Sequence, residues 1–166
     1  MQRTVTFPDL TITITTTEEN ATYALKGHIT HVFRHNTIPR SQTPHITFDL
    51  EGVELVTSVG LQAWVLLIKA WSKTQKIFYE KCSICFVDQL NMVEEMIGEA
   101  TIVSFYAPFY CNKCSLERNC LIDLRIHHGA ITHDSLPKFT CECESPEALE
   151  FDALPDYYLS FLQSRS

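Results

Sequence analysis

No stretch of this 166-residue chain stays apolar long enough to cross a bilayer. Its most hydrophobic part, from Leu61 to Trp71, is interrupted by Lys69 and followed by Lys73, short of the roughly 18 residues a spanning helix needs. The opening MQRTVTFPDL lacks a basic segment followed by an unbroken apolar run and a small-residue cleavage site. No secretory signal is therefore visible, and the expected compartment is the cytoplasm. Positive charge is scarce as well: 13 Lys and Arg stand against 20 Asp and Glu, a formal charge of -7, which argues against general affinity for nucleic acid or an anionic membrane. The chain holds seven histidines, yet none sits in a nucleophile, phosphate-loop or HExxH arrangement, so nothing points to an enzyme. No internal repeat or low-complexity segment stands out.

What is present is enough to fold. At 45% hydrophobic residues, the chain can fill the core of one ordinary domain, or of a small domain with an appendage. Seven cysteines, an odd number in a chain without an export signal, favour reduced thiols or metal ligation over a disulfide framework.

The β-branched run Thr11 to Thr17 and the stretch Tyr23 to Ile29 read as strands, the first at an edge, with Glu18-Glu19-Asn20 as the turn. Thr30 to Pro44 reads as a loop, and His45 to Leu50 as a third strand. Leu61, Trp64, Val65, Ile68 and Trp71 follow helix-face spacing, and Ala63, Leu66, Leu67 and Ala70 make that helix apolar nearly all round. Further on, Ser83 to Val87 reads as a strand. Asp88 would cap a helix carrying Leu90, Val93, Met96 and Ile97 and stopped by Gly98. Thr101 to Phe105 reads as the last strand of an α/β layer with at least partly parallel pairing. Composition shifts at Tyr106-Ala107-Pro108, dividing the chain into residues 1–106 and a module over 107–166. That module ends in an acidic segment and a helix that Asp152 would cap, with Leu154, Tyr157 or Tyr158, Phe161 and Leu162 docking back.

Cys111-Asn112-Lys113-Cys114 is followed, after 26 intervening residues, by Cys141-Glu142-Cys143. Two thiolate pairs on tight turns, separated by enough chain for a hairpin, can meet around one tetrahedral Zn²⁺ at about 2.3 Å per sulfur, as in a zinc ribbon. The alternative is free or disulfide-forming thiols. Cys120, His127, His128 and His133 lie between the pairs, and any could replace one thiolate. Four protein ligands leave no open position, so the expected role of zinc is structural, supplementing a core that some 60 residues can hardly build. The other CxxC, Cys82-Ser83-Ile84-Cys85, falls in the strand-like stretch, where its sulfurs would point to opposite faces as core material.

The run Ile46 to Val56 leads directly into Thr57-Ser58-Val59-Gly60-Leu61. Here Asp49-Leu50, Gly52-Val53, Ser58 and Gly60-Leu61 resemble the STAS domain family, the fold of bacterial anti-sigma factor antagonists and of the cytoplasmic ends of sulfate transporters. The family pattern is an apolar strand, Asp-Leu, a loop with a small residue and Val, then Asp-Ser-Ser/Thr-Gly-Leu opening a helix. Thr57 stands where the family has Asp, and Val59 where it has the second hydroxyl, leaving Ser58 as the position that matches a phosphoacceptor. The resemblance covers residues 10 to 105. It implies a mixed sheet of four or five strands with helices mainly on one face, and a function of protein binding, often regulated by a kinase acting at this helix start. A phosphate there would meet free N–H groups and add about two negative charges to a docking surface. Plain helix capping by Thr57 or Ser58 explains the same hydroxyls without regulation, and close packing of the helix start explains Gly60.

The expectation is a non-catalytic interaction module of bacterial-type signalling, STAS-like, with a structural zinc site in a ribbon-like C-terminal extension. The partner expected from the resemblance is a protein of kinase or sigma-regulator type, and a homodimer is compatible with it. The alternative is a zinc-ribbon protein that binds nucleic acid or is associated with transcription, using Lys113, Arg118 and Arg125. The acidic tail opposes phosphate approach, so nucleic acid is disfavoured as a partner.

Overall fold

A computed structural model describes residues 1–127, 131, 135–143 and 148–163. The chain is a mixed α/β structure. Strands β1 (Gln2–Phe7), β2 (Leu10–Thr16), β3 (Asn20–Ile29), β4 (His45–Val56), β5 (Lys76–Glu80) and β6 (Thr101–Ile102) lie in that order in one sheet. β1, β2 and β3 pair antiparallel, whereas β3 to β6 pair parallel. Helices α1 (Ser58–Trp71) and α2 (Ile84–Met92), with a 3-10 turn at Glu94–Met96, fill the crossovers.

Period-two patterning assigns the faces. Ile46, Phe48 and Leu50 of β4 are buried, as are Tyr23 and Leu25 of β3, Ile12 and Ile14 of β2, and Ile77 and Tyr79 of β5. The alternating side carries Thr13, Thr22, Asp49, Phe78 and Glu80, less buried and mostly polar. Both helices cover the apolar face: Trp64 of α1 packs against Phe48, Tyr79 and Phe86, and Phe86 of α2 sits edge-on to Tyr79. The polar ends of these rings are satisfied, since Trp64 Nε1 donates to the Tyr79 hydroxyl at 3.0 Å and that hydroxyl donates to the Met96 carbonyl at 2.6 Å. Among the described residues no buried side-chain nitrogen or oxygen lacks a partner, so this aromatic core carries no desolvation penalty from an orphaned group.

Two sequence expectations change here. The edge strand is β1, so the Thr11–Thr17 run lies one place inward. Ser83–Val87 is not a strand: Ser83 is the N-cap of α2, its hydroxyl accepting from the Phe86 N–H, while Asp88 lies inside the helix. Short apolar runs fit either period, and the capping hydroxyl decides this one. The strand is instead Lys76–Glu80, and Gly98 (φ 52) follows the 3-10 turn rather than α2.

A second sheet, ordered β8-β7-β9, consists of β7 (Ser104–Cys111), β8 (Leu116–Asp123) and β9 (Glu150–Phe151), all antiparallel. β7 grows out of β6 after one residue, and its start still pairs with the extension of β5. The Cys82 N–H donates to Ser104 O at 3.1 Å, and the Tyr106 N–H donates to Cys82 O at 2.9 Å. Lys81 takes φ 49 at this point, a left-handed kink that turns the pairing away from the first sheet. The compositional break at 106 to 108 thus falls inside a continuous strand.

The C-terminus forms two short helices, α3 (Pro155–Tyr158) and α4 (Ser160–Gln163), rather than one capped by Asp152; Leu154 precedes α3 without a side-chain cap bond. The interruption at Leu159 allows Tyr158 to face Phe151 and Phe161 to face Phe105. Docking back occurs through Tyr158, Phe161 and Leu162, whereas Leu154, expected to join them, is exposed, and a polar residue fixes the contact. Asn91 of α2 donates to Tyr158 O at 2.8 Å, while its own carbonyl oxygen accepts from Ser160 Oγ at 2.9 Å and the Phe161 N–H at 2.8 Å.

Candidate functional site

Cys111 ends β7, and the turn to Leu116 carries Cys114. The Ser115 N–H closes this turn on Cys111 O at 2.8 Å, with Ser115 itself at φ 56. The turn aims backbone donors at sulfur: the N–H groups of Cys114 and Lys113 are directed to Cys111, and that of Leu116 to Cys114. Chiefly through the Cys114 N–H, the Cys111 thiol is lowered to about 7. Partial burial, and then the neighbouring Cys111 sulfur, raise Cys114 to about 11.

The second pair lies on a facing hairpin in which Thr140 bridges Ala148 and the Leu149 N–H donates to Phe139 O at 2.8 Å. Phe139 packs edge-on to Phe109, two residues before Cys111, with ring centres 5.0 Å apart. That contact places Cys141 and Cys143 opposite the first turn. The sulfurs of Cys111 and Cys143 are 3.9 Å apart, those of Cys114 and Cys141 are 3.7 Å apart, and all four lie within 4.8 Å of one another.

These separations identify what the cluster can do. A disulfide requires about 2.05 Å between sulfurs, and all seven cysteines are free. A tetrahedral ion with ligands at 2.3 Å spaces its sulfurs by about 3.8 Å. Four thiols at that spacing, with backbone N–H groups directed at the sulfurs, could hold a metal ion, whose charge offsets the repulsion among four thiolates. The four sequence-predicted ligands are thus brought together. Cys120 and His127 are not among them, and His128 and His133 lie outside the described residues.

The other CxxC sits at a helix start, since Cys82 immediately precedes the N-cap of α2 and Cys85 lies in its first turn. Such a position could activate a thiol. Burial prevents it: Cys82 is fully enclosed and its thiol is pushed far up, and Cys85 is also raised by burial. Cys82 is thus core material, at a helix start and not in the expected strand, while Cys85 is only partly buried.

At the junction into α1, Thr57 is the N-cap. Its hydroxyl accepts from the Gly60 N–H at 3.2 Å, and its own N–H donates to Ile29 O at 3.0 Å. A Cβ on Gly60 would stand 2.0 Å from that same Ile29 oxygen, so close approach of β3 demands glycine there. Ser58 is the first helical residue and is exposed, with no bond to its hydroxyl among the described residues. Exposed apolar side chains precede and follow it: Leu55 near the end of β4 at 45%, Val59 at 56%, and Leu66, two turns further along α1, at 50%. Val59 and Leu66, seven apart on one helix, share a face that also includes Ala63.

A polar cluster near the Lys81 kink was not foreseen. Lys81 Nζ lies 3.1 Å from Asp49 and 3.5 Å from Glu51, and the Tyr106 hydroxyl donates to Glu51. Asp49 raises Lys81 further, while burial and the bond to Glu51 raise Tyr106 to about 12. The cluster ties β4 to β7. No described helix is long and apolar enough to cross a membrane. Compared with known proteins, the sequence matches no protein-family model and no curated protein.

Proposed function

We propose that the chain is a non-catalytic protein-interaction module, a STAS-like domain with a zinc-ribbon-like extension, of the kind used in bacterial-type signalling in the cytoplasm. The observation that carries this reading is the exposed apolar pair Val59 and Leu66 on one face of α1, with exposed Leu55 at the end of β4 before its capped start. Apolar side chains left in water along one helix face favour a protein partner. Thr57 is committed to capping, which leaves Ser58 as the hydroxyl a kinase could reach. A phosphate there would put charge next to Val59 without disturbing the core.

The four thiols support a structural Zn²⁺: an all-cysteine tetrahedral set suits zinc and keeps no position open for water or substrate. Its task would be to join the β7–β8 turn to the Phe139–Leu149 hairpin. The nucleic-acid alternative draws on Lys113 and Arg118, but Glu117 adjoins Arg118 in sequence and Glu142 lines the same pocket as Arg118. These carboxylates oppose the basic face that such binding needs.

The test is copurification from the native cell with the intact chain and with Val59→Asp and Leu66→Asp variants. A kinase-like or sigma-regulator partner captured by the first and lost from the others is expected. Equal recovery with all three proteins, or a salt-sensitive complex with nucleic acid in place of a protein, would remove the reading.

A further inference from the structure

The first sheet has one covered edge and one bare edge. At β6 the chain passes directly into β7 and the second sheet, whereas among the described residues nothing pairs with the outer side of β1. The ladder between β1 and β2 is regular from Gln2 opposite Thr15 to Phe7 opposite Leu10. It is extended by a reciprocal pair in which the Met1 amine donates to Thr16 O at 3.0 Å and the Thr16 N–H donates to Met1 O at 2.9 Å. Antiparallel pairs alternate, so Arg3, Val5 and Phe7 turn their N–H and C=O groups toward β2. Gln2, Thr4 and Thr6 turn theirs outward.

Native edges are blunted by lysine, proline, bulges or short length. β1 has six residues, no bulge in its register, no lysine and no proline, and its one charge is Arg3. On the side of the helices, Val5 and Phe7 are only partly buried at the rim of the core. Charge distribution favours meeting at this edge. Residues 1–76 carry seven Lys and Arg against six Asp and Glu, whereas residues 77–166 carry six against fourteen. Two copies repel through their acidic halves, and nine of those fourteen acids follow β6 in the chain. From β6, β1 is five strand spacings away, about 24 Å.

We propose that the chain pairs with a second copy of itself through β1, antiparallel about a two-fold axis at Thr4, joining two six-stranded sheets into one. In this register Thr4 stands opposite Thr4 of the second copy and Gln2 opposite Thr6, which engages all the outward groups in about six hydrogen bonds. Arg3 lies opposite Val5, its stem covering the half-buried rim on each side. A segment of another protein could also add to a bare edge. The self-complementary register and the near-neutral charge of this half favour a second copy.

The test uses the full chain with its metal retained. Sedimentation over a concentration series is combined with amide exchange read by NMR. The wild type should reach twice the 19.0 kDa chain mass, with the Thr4 and Thr6 amides protected as it does so. Thr4→Pro removes an N–H that makes no bond within the monomer. Thr4→Lys sets two like charges directly opposite and should raise the dimer Kd at least about fivefold, with an unchanged circular dichroism spectrum. A wild type that stays monomeric at several hundred micromolar overturns the proposal. So does a dimer that withstands Thr4→Lys while its Thr4 and Thr6 amides exchange freely.

Discussion

Around Trp64 the larger sheet packs Tyr23, Phe33, Phe48, Trp71, Tyr79 and Phe86 into one enclosed cluster with the polar tips of Tyr23, Trp64 and Tyr79 bonded. Around Cys111 the smaller sheet has Phe109, Phe139 and Phe151 and then four thiols. The first region can be held by apolar burial alone. The second has a two-residue strand, a hairpin closed by one bridge and side chains that reach solvent on two sides. The difference shows where a metal could add most: at the end of the small sheet, where aromatic packing runs out.

Removing the metal should have the largest effect. Ligation of a structural zinc is worth about 10–16 kcal/mol in small domains. Chelation, or Cys111→Ser, should therefore release the β7–β8 turn and residues 139–143 and 148–149 to fast amide exchange. The near-ultraviolet signal of Trp64 and Trp71 should persist. Loss of both together would break the contrast between the regions.

Trp64→Ala attacks the other side. Removing a fully enclosed indole leaves a cavity and deprives the Tyr79 hydroxyl of a donor, at a cost of about 3–5 kcal/mol, read as a lowered denaturant midpoint. Metal binding by the folded protein should be unchanged. Asn91→Ala sits between the regions: three hydrogen bonds to α3 and α4 are lost, worth about 2–3 kcal/mol together. Its readout is early proteolytic cleavage after Phe151 with the sheet intact. The smallest effect is at the helix start, where Thr57→Ala should cost about 1 kcal/mol and Ser58→Ala close to nothing. An equal loss from both would mean that Ser58 shares the cap.

The metal site was readable because its geometry is local. Each cysteine pair sits within one turn, so spacing alone placed the ligands, and only the Phe109–Phe139 contact that joins the turns required the fold. The β4–α1 junction was readable for the same reason, since cap, glycine and helix face lie within a dozen residues. Ser83–Val87 misled because SICFV is apolar without a period and its cap is a single hydroxyl. The Asn91 clamp left no trace, as its partners are 67 to 70 residues away. Nor did the Lys81 kink, which exists because β7 must leave the first sheet while still paired to Cys82.

The central claim is that four cysteines, and not an apolar core, close the smaller sheet around a metal. Native mass spectrometry of the chain purified without added metal, followed by timed alkylation of its thiols, tests it most directly. The account predicts one zinc per chain, with Cys111, Cys114, Cys141 and Cys143 alkylated together, and only once the metal is withdrawn. A metal-free chain whose four thiols react independently while β7, β8 and β9 stay protected from exchange would contradict it.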